Sequence, residues 1–375
     1  MSIGARIARF AAPWVRELEP YRTEPGDGLV RLDAMEIPWP LPDALRAAWL
    51  AVVAEVELNR YPDPQARELR ARLLARHGLA APTDVLLGNG SDEIIRMLCL
   101  AFARGPDATV LTVEPSFALF GSAAQAVGMR TVGVPLAAAD FALDVPGMLS
   151  AIEREQPALV FLASPNNPTA NRLDEGTLEA LCTAAPGLVV LDEAYYRFAG
   201  ATRVGEVAAH ENLVVMHTLS KVGLAGLRVG ALYGAAEWLA LLERVRMPYN
   251  INALSQAGAL FALTHEAVFE RQVEAVLAER GRLAARLAAL PGMRVWPSAT
   301  NFLLARAPAG RGRALCAALR RAGVLVRNLD GSHPLLADCL RVSVGTPRDN
   351  RQFLDALAAA LDGRTEPAST RQRAP

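Results

Sequence analysis

Between residues 84 and 234 the chain repeats one pattern. A short run that is almost wholly apolar is followed by a longer segment whose apolar positions recur every three or four residues. "DVLLG" (84–88) precedes "SDEIIRMLCLAFA" (91–103), and "ATVLTV" (108–113) precedes "SFALFGSAAQAVG" (116–128). "ALVFLA" (158–163) precedes "DEGTLEALCTAA" (174–185), and "GLVVLDEAY", "LVVMHTLS" and "VGALYG" follow. A run without polar alternation predicts a strand covered on both faces. Such strands alternating with helices predict an α/β fold with a mostly parallel sheet. Ligands on sheets of this kind gather at the carboxyl ends of the strands. No fixed-period repeat is present.

After about residue 250 the pattern changes. Ala/Leu/Arg helices run through roughly 253 to 290, then strand-like pieces appear at "MRVWPSATNFLLARA", "GVLVRN" and "CLRVSVG", and a last helix covers about 348 to 362. This predicts a smaller α+β domain. The organisation expected is an arm over 1–35 joining that domain or a partner subunit, a large domain over 36–250 and a small domain over 251–363 that includes part of the arm. The polar, Pro-containing stretch 364–375 is expected to be disordered.

Composition narrows the function classes. The 375 residues are 52% hydrophobic with zero formal net charge, so a large core is affordable and no basic field points to nucleic acid. The segment "MSIGARIARFAAPWVRELEPY" lacks a signal-peptide core, and no apolar stretch of about 20 residues suggests a membrane span. A soluble, cytoplasmic protein is expected. Cys99, Cys182, Cys316 and Cys339 are far apart, and no Cys/His spacing suggests a metal.

One count changes the picture. Of the 39 Lys+Arg, Lys221 is the only lysine. Coding bias could leave one survivor by chance. Arginine nevertheless fails where an amine must lose its proton and act as a nucleophile, because guanidinium stays charged. Lys221 follows a predicted strand, with Thr218 and Ser220 beside it and Arg228 seven residues on. Asp192 ends another apolar run, where a carboxylate is costly unless paired, with a ligand's protonated ring nitrogen or with an arginine. Asn167 in "FLASPNNPT" lies after a buried strand, in an ordinary turn or with its amide presented to a ligand oxygen. Gly88, Gly90, Ser91 and Asp92 start a helix whose free N–H groups suit a phosphate, although a plain N-cap at Ser91 or Asp92 is the simpler reading of that segment alone. A phosphate between Ser220, Arg228 and this helix start would be held by charge-assisted bonds. An amine, a carboxylate, an amide and a phosphate nest at four strand ends together describe a site for pyridoxal 5′-phosphate (PLP).

The ordered set "GNGSDE", "SPNNPT", "LDEAY", "TLSK…LAGLRVG" and "CLRVSVGT" resembles the fold-type I PLP aminotransferases, and most of all their histidinol-phosphate aminotransferase branch. The resemblance runs from about Tyr21 to Thr346. It implies a PLP-transferase fold and makes Lys221 the Schiff-base lysine and the proton carrier at the substrate's Cα. Asp192 would pair with the ring nitrogen, Asn167 and Tyr195 would bond the ring's phenolic oxygen, and Phe117 would stack on its face. Ser91, Asp92, Ser220 and Arg228 would bind the phosphate. Tyr61 in "LNRYPDP" resembles a tyrosine that reaches the phosphate from a neighbouring subunit, which implies a homodimer with shared sites. Tyr21, Arg327 and Arg341 would contact substrate. Two arginines suit a dianionic group, with Arg327 pairing to Asp330 as the alternative.

The branch resembled implies transamination between L-histidinol phosphate and 2-oxoglutarate, giving imidazole acetol phosphate and glutamate, in histidine biosynthesis. An aromatic aminotransferase or a threonine-phosphate decarboxylase would share the scaffold. A non-catalytic PLP-binding regulator would need a DNA-binding domain, for which the arm and tail leave little room. Three departures from relatives stand out: Met35 in "LDAMEIP" in place of an asparagine, Ala170 in place of a glycine, and a shorter loop after Lys221.

Overall fold

The computed structural model describes residues 1–20 and 24–363. The expected tail at 364–375 and Tyr21 lie outside the described residues. The strands in chain order are β1 (Val30–Leu32), β2 (Thr83–Asn89), β3 (Thr109–Glu114), β4 (Arg130–Pro135), β5 (Leu159–Ala163) and β6 (Leu188–Asp192). They continue with β7 (Leu213–Thr218), β8 (Val229–Ala235), β9 (Arg294–Val295), β10 (Phe302–Arg306), β11 (Val324–Asn328) and β12 (Cys339–Ser343).

Seven of these form one sheet in the order β2-β8-β7-β6-β5-β3-β4. Only β8 runs against its neighbours. The mostly parallel α/β sheet expected from the apolar runs is therefore present. Its central strands β5, β6 and β7 are buried at every position, as strands covered by helices on both faces must be. The helix Ser91–Phe102 shows how the covering works. It buries Ile94, Ile95 and Leu98 against the sheet and leaves Leu100 on the outside. The edge strand β4 carries no continuous apolar run, because most of it is only partly buried.

The second sheet has the order β1-β11-β12-β10-β9. β1 pairs parallel with β11, so the segment near residue 30 joins a sheet otherwise built from residues after 293. The helix Pro347–Leu361 closes this sheet with Phe353, Leu354 and Leu357 buried. Its start is strongly specified. Thr346 accepts from the Asp349 N–H, the Asp349 carboxylate accepts from Thr346 N, and Pro347 takes the first helical position, where no N–H is needed. Removing such a cap costs about 1 kcal/mol.

Strand register sets the site. Ala163 on β5 pairs with Asp192 on β6, which pairs with Met216 on β7, so three strands end nearly level. The turns that follow carry Asn167, Tyr195 and Lys221 onto the same edge.

Candidate active site

A cavity of about 230 Å³ opens at that edge. Lys221, Asp192, Asn167, Tyr195, Ser220 and Arg228 line it, together with Ser91, Asp92 and Phe117. Nine candidates scattered over 138 positions of sequence are thus brought together.

Lys221 sits in the 3₁₀ turn Ser220–Val222 that ends β7. Burial, with help from the Arg341 charge, lowers its amine to about pKa 8, against the opposing pull of Asp192. A minor but appreciable fraction is therefore neutral and nucleophilic near physiological pH, far more than for an ordinary lysine. Its Nζ lies 5.6 Å from the centre of the Tyr195 ring.

Asp192 is 5% exposed. Its Oδ1 accepts from Ala194 N at 2.9 Å, and no other hydrogen bond reaches the carboxylate among the described residues. Burial pushes it up to about pKa 7, opposed by the Ala194 N–H and by Lys221. The arginine partner that would explain it structurally is absent among the described residues. A buried carboxylate short of donors at a cavity wall fits a protonated ring nitrogen.

Asn167 is oriented from behind. Arg341 on β12 donates from Nη1 to Asn167 Oδ1 at 2.6 Å and from Nη2 to Asp33 O at 3.0 Å. With Arg341 fixing its oxygen, Asn167 keeps its N–H₂ available to donate into the cavity it lines. Tyr195, 4% exposed, donates to Met35 Sδ at 3.1 Å. Phe117 packs edge-on against Phe120 at 5.6 Å, which steadies its ring at the cavity wall.

The anion end is built from backbone and charge. Gly90, rather than Ser91 or Asp92, is the N-cap of the helix Ser91–Phe102, and no side chain caps it. The simple capping expectation is therefore incorrect, and the first-turn N–H groups have no side-chain acceptor from the cap position. Arg228 donates to Ser220 Oγ (3.3 Å) and to Asp92 Oδ2 (3.3 Å). A methyl group on Gly90 would lie 2.4 Å from Arg228 Nη2, so only glycine lets the guanidinium come this close to the helix start. The set fits a phosphate.

Other candidates lie elsewhere. Tyr61 is 81% exposed and stacks on Tyr249 with ring centres 4.5 Å apart, away from the cavity wall. Arg327 lies directly opposite Arg341 across β11 and β12, half-buried and without a hydrogen bond or ion pair among the described residues. The Asp330 alternative fails, because Asp330 Oδ2 is taken by Arg313 at 2.6 Å. One further wall is formed by Ala34, Met35 and Glu36 of "LDAMEIP", where Met35 stands in place of an asparagine. Met35 is held there at φ 56° by Asn301, which donates to its carbonyl, and by Ser343, whose hydroxyl accepts from its N–H.

The family model "Aminotransferase class I and II" matches residues 28–357. The chain belongs to that family. Class I and II aminotransferases work with PLP, which the geometry above accommodates. A "Histidinol-phosphate aminotransferase 2" of Cupriavidus pinatubonensis is 49% identical over 360 residues, covering 95% of this chain and 97% of that one. A histidinol-phosphate aminotransferase of Chromobacterium violaceum is 46% identical over 351 residues, covering 94% and 98%. The crystal structure of the Sinorhizobium meliloti histidinol-phosphate aminotransferase in complex with PLP superposes with a TM-score of 0.85 at 25% identity, covering 95% of this aminotransferase and 98% of that chain.

Proposed function

We infer that the protein is a histidinol-phosphate aminotransferase, exchanging an amino group between L-histidinol phosphate and 2-oxoglutarate in histidine biosynthesis. The observation that carries the substrate choice is the Arg327–Arg341 pair. Side chains directly opposite on neighbouring antiparallel strands share a face, and like charges there repel. A dianion between them removes the repulsion and gains bidentate bonds. A carboxylate supplies one negative charge and a phosphate close to two.

PLP, when bound, supplies an electron sink conjugated to the substrate's Cα. In this reading Lys221 would hold it through its lowered-pKa amine and would move the proton at the substrate's Cα. Asp192 would keep the ring nitrogen protonated, Asn167 and Tyr195 would orient the phenolic oxygen, Phe117 would cover a ring face, and Ser91, Asp92, Ser220 and Arg228 would cradle the phosphate.

A second copy of the chain completes the reading. Leu58, Tyr61, Met247 and Tyr249 are exposed hydrophobics on this one chain, with Leu58 77% and Tyr61 81% exposed. A homodimer covering them would carry Tyr61 to the partner's phosphate end. No helix among the described residues is long and apolar enough to cross a membrane. A cytoplasmic location, a large domain over 36–250 and a small one over 251–363 complete the proposal.

The test is a rate comparison with 2-oxoglutarate as acceptor and histidinol phosphate, phenylalanine or threonine phosphate as donor. Histidinol phosphate is expected to lead in kcat/KM by about 100-fold, the worth of two charge-assisted contacts. Fast turnover of phenylalanine beside negligible turnover of histidinol phosphate would overturn the assignment, as would carbon dioxide release from threonine phosphate.

A further inference from the structure

We propose that Glu36 is the residue that selects the imidazole ring, accepting its N–H at the cavity mouth while the Met35 thioether packs on the ring. This rests on the substrate reading above and deepens it.

Three carboxylates line the cavity. Among its lining carboxylates, Asp192 is buried on the floor, and Asp92 is paired with Arg228. Glu36 is the third. It is exposed, and among the described residues its side chain makes no hydrogen bond and no ion pair. It is nevertheless close enough for its charge to raise the proton affinity of Lys221. Arg31, which also feels this carboxylate, is already held by Asp33 at 3.2 Å. Glu36 is therefore the one lining carboxylate that is neither buried on the floor nor paired with a cation.

Histidinol phosphate has three arms on its Cα. The amine belongs at Lys221, and the phosphate at Arg327 and Arg341. The third arm is a flat ring with an N–H donor at its edge. Cations and amide donors cannot accept that N–H, whereas a carboxylate can. The neighbouring sulfur supplies what the ring face needs, because thioethers pack favourably on aromatic rings. The segment carrying both groups is pinned at each side. Arg341 Nη2 bonds Asp33 O (3.0 Å), Asn301 bonds Met35 O (2.7 Å), and the Ile37 side chain is 9% exposed. Glu36 is thus an exposed acceptor on a fixed support, and that support is tied to the arginine that takes the phosphate. A ring lacking the N–H would leave the carboxylate without its partner, so the contact discriminates imidazole from phenyl.

The experiment uses ligands differing only in the ring. Calorimetry measures the affinity of the holoenzyme for 3-(imidazol-4-yl)propyl phosphate and for 3-phenylpropyl phosphate. Kinetics compare histidinol phosphate with phenylalaninol phosphate. Glu36→Gln is expected to weaken the imidazole ligands roughly 10-fold in both affinity and kcat/KM, and to leave the phenyl ligands unchanged or improved. Glu36→Asp should recover part of the loss. Equal changes for both rings, or none for either, would overturn the role of Glu36. Failure of the wild-type enzyme to use histidinol phosphate would instead overturn the substrate reading, and Glu36 with it.

Discussion

Asp192 and Glu193 are neighbours in sequence, both buried carboxylates at the end of the same strand, at 5% and 2% exposure. Their surroundings differ completely. Asp192 receives one backbone N–H and is pushed up to about pKa 7 by burial. Glu193 points the other way, where Arg203 N donates to it at 2.8 Å, His217 Nε2 donates at 2.9 Å, and the Thr202 hydroxyl adds a third bond. His217 itself is held below its ordinary pKa by burial, against the raising pull of Glu193. The pair is a neutral imidazole donating to a carboxylate, sealed beneath Tyr196 and edge-on to Tyr233. A polar group placed for structure has its hydrogen bonds filled by the fold. A polar group placed for chemistry is kept short of partners, at a cost in stability that a ligand then offsets.

That contrast can be broken by mutation. The largest effect belongs to the other unsatisfied group, Lys221. Lys221→Arg is expected to lower kcat by at least about 10⁴-fold while circular dichroism stays native, since charge is kept and nucleophilicity lost. Asp192→Ala should cost about 10³-fold in kcat, read in steady-state assays with saturating cofactor. Next comes Arg327→Met, expected to lower kcat/KM for histidinol phosphate about 100-fold and to leave phenylalanine nearly unaffected.

Glu193→Ala should reverse the profile. Stability falls by about 3 kcal/mol in urea titrations, because three donors lose their acceptor, while activity per folded molecule stays within about threefold. A Glu193 variant that folds normally but is catalytically dead would remove the distinction between the two carboxylates. The smallest effect sharpens the comparison through pH. The folded-state pKa of Asp192 is raised, so its contribution to stability is present below the unfolded value near 3.8 and is lost as pH rises through about 7. Cofactor-free Asp192→Asn should therefore gain on the wild type between pH 4 and pH 8, by about 2–4 °C in Tm. A flat difference across that range would show that the carboxylate is not strained.

Much of the cavity lining was legible in the chain because its polar residues sit at strand ends that the apolar runs mark out. Asp192 and Lys221 are polar residues closing buried runs, and the lone lysine among arginines directs attention to the second. The Ser91–Asp92 segment was harder, since an N-cap and a phosphate nest use the same residue types. What separates them is the positive φ of Gly90 and its contact with Arg228, neither of which has a one-dimensional signature. The wall at 34–36 was legible only as a departure at Met35, without a role for its neighbours. It belongs to a loop beside the short strand β1, and its geometry is imposed by Asn301 and Ser343, more than 260 residues away in sequence. The Glu193–His217 cluster was invisible for the same reason, because a satisfied buried network has no local periodicity.

Arg341 links the two sheets through a single guanidinium, gripping Asn167 on one side and the Asp33 carbonyl on the other. The same charge lowers the Lys221 proton affinity. An anion that engages Arg341 therefore acts on three things at once: the aim of an amide, the position of a loop and the basicity of an amine. By thermodynamic reciprocity, whatever free energy the anion adds to the grip on the ring, the ring returns to the grip on the anion. Affinity measured for either ligand alone therefore leaves this coupling out.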